Sequence, residues 1–171
     1  MTGIYIGLGA NLESAHGTPH QTCKAALARL AAEAGVTIVR ISCWYRSAPV
    51  PASDQRWFVN AVAELETRLG AEALIALLHA VEGEFGRERL ARNAARGLDL
   101  DLLDFRGQRR AVPGGLVLPH PRLAERLFVL LPLKDVASDW CHPESGRTID
   151  QLLSTLDPGQ RIEPFTDPEI T

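Results

Sequence analysis

The chain opens on an apolar run, residues 2–8, rich in strand formers and broken by Gly9-Ala10-Asn11, a turn-forming sequence. This predicts a first strand feeding a loop. Thr18-Pro19 supplies a cap with proline at the first helical position, and Leu27, Leu30, Ala31 and Ala34 fall on one face before Gly35, which predicts a first helix. Residues 36–44 alternate, with Val39, Ile41 and Cys43 on one side and Ile38, Ser42 and Trp44 on the other, as a strand does. A proline-bearing loop, residues 45–56, leads to residues 57–66, where Phe58, Asn60, Val62 and Glu64 share a face. The two alternating stretches are candidates for antiparallel neighbours. Leu74, Leu77, Leu78 and Val81 predict a second helix, residues 83–96 form an arginine-rich connection with no period, and residues 98–105 resume as a strand. Beyond them Pro113, Pro119, Pro121 and Pro132 punctuate the chain, and a short helix is expected at residues 148–156.

Strand, helix, strand, strand, helix, strand predicts an α+β sandwich of ferredoxin-like order, helices packed on a mostly antiparallel sheet. No repeat or linker divides the chain, so one domain over residues 1–171 is expected. Such a fold implies no chemistry by itself.

With 46% hydrophobic and 23% charged residues, neither disorder nor a fibrous structure fits the composition. A net charge of -3 argues against broad nucleic-acid binding. Yet Arg87, Arg89, Arg92 and Arg96 crowd together, and Arg106, Arg109 and Arg110 follow, which leaves room for a local anion site. Cys23, Cys43 and Cys141 lie too far apart for zinc or redox motifs and suit a reducing compartment. No apolar run approaches the roughly twenty residues that cross a bilayer, and the first ten residues lack a secretory pattern. The cytoplasm is the expected location.

The most informative segment runs from Arg92 to Leu103. Side chains two apart on a strand share a face about 6.5–7 Å from each other, so Asp99 and Asp101 project together while Leu98, Leu100 and Leu102 face the core. Two carboxylates this close resist joint ionisation unless cations compensate, and Mg²⁺ bridging to substrate phosphates would do so. Taken alone, Asp-x-Asp equally fits the solvated face of an edge strand. The arginines just upstream place positive charge where a polyphosphate would sit.

In this segment the sequence resembles the 6-hydroxymethyl-7,8-dihydropterin pyrophosphokinase family. The family signature is a basic residue, any residue, two small residues, arginine, two residues, then aspartate-aliphatic-aspartate-aliphatic-aliphatic, and Arg92 through Leu103 meets every position. Gly7-Leu8-Gly9-Ala10-Asn11-Leu12 is similar to the family's first loop. Tyr45-Arg46-Ser47-Ala48-Pro49-Val50, Phe58-Val59-Asn60, Pro119-His120, Arg126 and Phe128 follow in family order.

The resemblance implies an enzyme that moves pyrophosphate from ATP to the hydroxymethyl group of the pterin, in folate biosynthesis. It implies two Mg²⁺ ions held by Asp99 and Asp101, and a role in transfer for Arg87 and Arg96. Glu82, Arg89, Arg92, His120 and Arg126 match nucleotide-contacting positions, with Leu102 meeting the adenine through its backbone. Phe58 and Phe128 match the rings that sandwich the pterin, Asn60 the amide that reads its edge, and backbone groups near Ser47, Ala48 and Val50 assist. A flat polar heterocycle is well held between two aromatic faces with donors and acceptors in its plane.

The chain departs from the family at Asn93 and Ala95, where an aromatic residue and a proline are common, at His79, where glutamine is frequent, and at Gly115, where a basic residue can occur. The expected partners are ATP and the hydroxymethyl-dihydropterin, with no nucleic acid or membrane, and the expected state is a monomer. Two other readings stay open at this level. One is a non-catalytic ferredoxin-like module that binds single-stranded nucleic acid through Trp57, Phe58 and the arginines; the other is a homologue that binds but does not turn over.

Overall fold

The computed structural model describes residues 2–86 and 97–167, so Arg87, Arg89, Arg92, Asn93, Ala95 and Arg96 lie outside the described residues. In chain order the elements are β1 (Ile4–Ala10), α1 (Pro19–Ala31), β2 (Val36–Ile41), β3 (Tyr45–Ser47), β4 (Phe58–Thr67), α2 (Ala71–Glu84), β5 (Asp99–Phe105), β6 (Arg110–Ala111), β7 (Val117–Leu118), a 3₁₀ turn (Leu123–Glu125), α3 (Leu127–Val136), α4 (Ile149–Leu153) and β8 (Ile162–Pro164). The main sheet runs β5-β1-β4-β3-β8, with β2 pairing the far end of β4, and every pairing is antiparallel. Among its longer strands the order β5-β1-β4-β2 is the ferredoxin-like arrangement the alternation predicts.

Alternation sorts the sheet into two faces. Ile4, Ile6, Leu8 and Ala10 of β1, Ala63 and Leu65 of β4, and Leu98, Leu100 and Leu102 at β5 form one core with Cys23, Ala26, Leu27 and Leu30 of α1 and Leu74, Leu78 and Val81 of α2. Leu77 packs against this core partly buried. The buried face of α1 begins one turn earlier than the sequence suggests: Ala31 is exposed and Ala34 lies past the helix end. Strand β2 ends at Ile41, short of residue 44, and the side that carries Val39, Ile41 and, beyond the strand, Cys43 is the exposed one; β2 is an edge with an irregular register between Ile38 and Arg40.

The opposite face has a second core that the sequence pattern does not reveal. Tyr5, Val62 and Leu103 pack there against Val129, Leu130, Leu133 and Val136 of α3 and against Trp140, Ile149 and Leu152. The proline-punctuated stretch thus holds a ten-residue helix with Pro132 inside it. Burying one apolar stripe on the sheet offsets the loss of a backbone donor at Pro132. Residues 45–56 also contain β3, too short to register as alternation, held between β4 and the distant β8. Asp135 of α3 fixes β3 by accepting from Tyr45 Oη at 2.8 Å and from the Cys43 N–H at 3.1 Å. The helix covers only part of this face, and beside its first turn the sheet is open.

Thr18 Oγ1 accepts from the Gln21 N–H while Gln21 Oε1 accepts from the Thr18 N–H, a reciprocal cap at the start of α1. Thr18→Ala is expected to lower unfolding free energy by about 1 kcal/mol in urea titration without changing the m-value.

Candidate active site

The open end of the second face is paved by three strands in register. Asp99 and Asp101 of β5 stand opposite Gly9 and Gly7 of β1, and those glycines stand opposite Asn60 and Val62 of β4. Two bare α-carbons therefore separate the carboxylates from Asn60. A Cβ on Gly9 would come 3.3 Å from Asn60 Oδ1, so a side chain there would crowd the amide and fill the aisle. Around this floor a hollow is walled by Ser47 at the end of β3, Ala48 and Val50 just after it, Phe58 at the start of β4, Phe128 of α3, and Arg126. The strand periodicity thus brings the two aspartates, the amide and the Phe58 ring into one cavity, and α3 adds Phe128.

Each wall has a local cause. Asn60 Nδ2 donates to Ser47 Oγ at 2.6 Å, which turns the amide toward β3 and fixes its orientation. The Ala48 N–H donates to the Arg161 carbonyl at 3.0 Å, so any contact that the Ala48 backbone makes with a ligand falls to its carbonyl. Arg126 immediately precedes α3; its guanidinium lies 5.5 Å from the Phe128 ring centroid and its Nη1 3.8 Å from Asp101 Oδ2. One cation therefore lies against both the aromatic wall and Asp101.

A second hollow opens on the other side of Asp101. Leu100, Leu102 and Leu78 line it with His79, Gly115, Leu116, Val117 and His120, and Asp101 lines both hollows. The β6–β7 hairpin forms its outer wall and is tied to α2 by an Arg110–Glu72 ion pair. Both departures from the family pattern that fall on described residues, His79 and Gly115, line this hollow. Glu82 lies beneath it, buried, with Oε1 accepting from the Leu100 N–H at 2.7 Å. It supports β5 from the core side.

His120 follows the cis Leu118–Pro119 bond; its N–H donates to the Leu103 carbonyl at 2.8 Å, and its Nδ1 accepts from the Arg122 N–H at 3.2 Å. With Nδ1 accepting, the ring proton sits on Nε2, which makes that edge a neutral donor. Burial and the nearby Arg126 push the imidazole down to about 4; Asp99 pulls the other way and Arg122 adds to the lowering.

The donor set fits a hard divalent cation. Mg²⁺ is commonly bound by one or two carboxylates with substrate phosphates and water completing its shell, and Asp99 and Asp101 offer two on one face. Among the described residues no group of three or more His, Cys, Asp or Glu side chains could enclose a metal by itself. Also among them, no helix is long and apolar enough to cross a membrane.

The model of the 7,8-dihydro-6-hydroxymethylpterin-pyrophosphokinase family matches residues 5–138. The chain belongs to that family. The 2-amino-4-hydroxy-6-hydroxymethyldihydropteridine pyrophosphokinase of Synechocystis sp. is 39% identical over 155 residues, 91% of this chain and 76% of its own. The enzyme of that name from Methylorubrum extorquens is 36% identical over 165 residues, 95% of this chain and all of its own. A solved structure described as HPPK-DHPS in complex with substrates shares the fold, with a TM-score of 0.66 at 12% identity; the match covers 90% of this chain and 43% of that one. Membership of the pyrophosphokinase family makes the chain a transferase of the kinase type.

Several lining residues are not singled out by the sequence reading. Leu103 continues the Asp99–Asp101 face and could have been read from the same period of two. Leu116 and Val117 could not, because a two-residue strand shows no alternation. Arg87, Arg89, Arg92 and Arg96 lie outside the described residues.

His120 is expected to titrate near pH 4 in a ring-nitrogen NMR titration of the folded protein; a midpoint above 6 would contradict the buried neutral donor. An unperturbed histidine titrates near 6.5. As pH falls from about 6.5 to about 4, the unfolded chain takes up a proton that the folded chain refuses, so stability declines across that window.

Proposed function

We propose that the protein transfers pyrophosphate from ATP to the hydroxymethyl group of 6-hydroxymethyl-7,8-dihydropterin, releasing AMP, as a step of folate biosynthesis. The observation that carries this reading is the position of Asp101 on the boundary between two hollows. One hollow is shaped by aromatic walls and an amide for a flat heterocycle, and the other is apolar with a neutral histidine donor. A reaction that joins a pterin to a nucleotide phosphate needs such a junction.

The chain's residues divide the work. Phe58 and Phe128 hold the pterin between their faces, and Asn60, with backbone groups of Ser47, Ala48 and Val50, reads its edge. The adenine meets the backbone of Leu102, and His120 Nε2 donates toward the nucleotide. Glu82 supports this side from beneath, and Arg89, Arg92 and Arg126 balance phosphate charge. Asp99 and Asp101 would hold two Mg²⁺ ions together with phosphate oxygens, and the ions, when bound, supply neutralisation of the charge that shifts during transfer. The pterin hydroxymethyl oxygen attacks the β-phosphorus and gives up its proton to solvent, the bond from that phosphorus to the α-phosphate oxygen breaks, and AMP leaves with the electron pair. Arg87 and Arg96, as the family resemblance implies, take part in transfer by stabilising the charge on the transferring group. Holding both substrates in line supplies most of the acceleration, so no covalent intermediate on the protein is needed.

In this reading the protein is a cytoplasmic monomer of one domain, residues 1–171, with ATP and the pterin as partners and neither nucleic acid nor membrane. Incubated with ATP, Mg²⁺ and the hydroxymethyl pterin, the protein is expected to release AMP only when pterin is present. Asp99→Asn and Asp101→Asn should each lower kcat by about a hundredfold or more. ADP as product, AMP formed without pterin, or undiminished turnover in either variant would contradict the assignment.

A further inference from the structure

The two aromatic walls of the pterin hollow stand on different elements, Phe58 on β4 and Phe128 on α3. Stacking a flat ring between them requires a fixed gap, because dispersion falls away within an ångström of misfit. Neither element sets that gap alone.

Two consecutive residues far along the chain connect both walls. Gln160 Oε1 accepts from the Leu127 N–H at 2.9 Å, and its Nε2 donates to the Glu125 carbonyl at 2.8 Å. Leu127 is the first residue of α3, whose opening N–H groups have no partner within the helix, and the preceding residue, Arg126, offers no side-chain cap. Gln160 therefore caps α3 from a distant segment and grips the backbone on both sides of Arg126, two residues before Phe128. Arg161 holds the other wall. Its carbonyl accepts from the Ala48 N–H at 3.0 Å, and its guanidinium lies 4.9 Å from the centroid of Trp57, the neighbour of Phe58. Arg46 stands 5.4 Å from the same ring. Strand β8 begins at the next residue and pairs with β3, anchoring the dipeptide to the sheet edge.

We infer that Gln160 and Arg161 form a positioning clip that sets the spacing of the pterin hollow, with one residue gripping the Phe128 wall and the next the Phe58 wall. The inference rests on the reading of that hollow as the pterin site. Both residues lie beyond residues 5–138, the span of the family model. They touch no reacting atom in this account, so they act through the walls and not on the chemistry.

The test separates KM from kcat in the full chain. For Gln160→Ala the KM for pterin is expected to rise about tenfold, while the KM for ATP stays within about threefold and kcat at saturating pterin stays near wild type. Gln160→Met keeps the stem without the amide and should lose as much as the alanine variant, which assigns the effect to the two hydrogen bonds. Arg161→Lys keeps a cation over Trp57 and should recover most of the pterin affinity that Arg161→Ala loses. Melting temperatures should stay within about 3 °C throughout, because neither change opens a core cavity. An unchanged pterin KM in Gln160→Ala, or equal rises for pterin and ATP, would overturn the clip. Wild-type protein that forms no AMP from ATP and pterin would instead overturn the reading on which the clip rests.

Discussion

Two carboxylates on alternate positions of one strand repel each other unless positive charge stands near both, and this constraint organises the rest of the molecule. Asp99 and Asp101 share a face because a strand repeats every two residues. They share it with two glycines, so nothing on β1 fills the space in front of them. Arg126 reaches Asp101 from the start of α3, and the sheet in front of the pair is open because α3 begins beside it and runs away over the second core. Where the charges point, the fold leaves room for cations and phosphates.

Asp104 shows what happens to the same side chain when that opening is closed. The register shift at Leu103 returns Asp104 to the face of Asp101, but under Trp140 and the second core. There its Oδ2 accepts from Trp140 Nε1 at 2.7 Å and its Oδ1 from the Gly107 N–H at 2.9 Å, while burial pushes the carboxyl up. It caps the turn at Arg106 and Gly107, both of positive φ. One strand thus carries a structural carboxylate at its covered end and a candidate metal-binding pair at its open end. The difference lies in what packs above them.

The parts of this arrangement legible in the sequence are those that follow from local period. Residues 98–105 announce a strand with an acidic and an apolar face, the cap at Thr18-Pro19 starts α1 where expected, and Phe58 and Asn60 fall on one side of β4. The elements that complete the site do not announce themselves. Strand β3 has three residues and depends on β8, more than a hundred positions away. Helix α3 carries an internal proline that argues against a helix until the second core is known. The hairpin beside His120 has strands of two residues. The grip of Gln160 on the start of α3 is a tertiary contact with no local pattern. Resemblance supplied His120, Arg126 and Phe128 where periodicity could not.

The account is tested most directly by calorimetric titration with a non-hydrolysable ATP analogue, with and without Mg²⁺, on the wild type and on Asp101→Ala. Mg²⁺ is expected to tighten wild-type binding by at least about tenfold and to leave the variant nearly unchanged. Equal affinity in all four titrations would show that the paired carboxylates hold no cation beside the nucleotide.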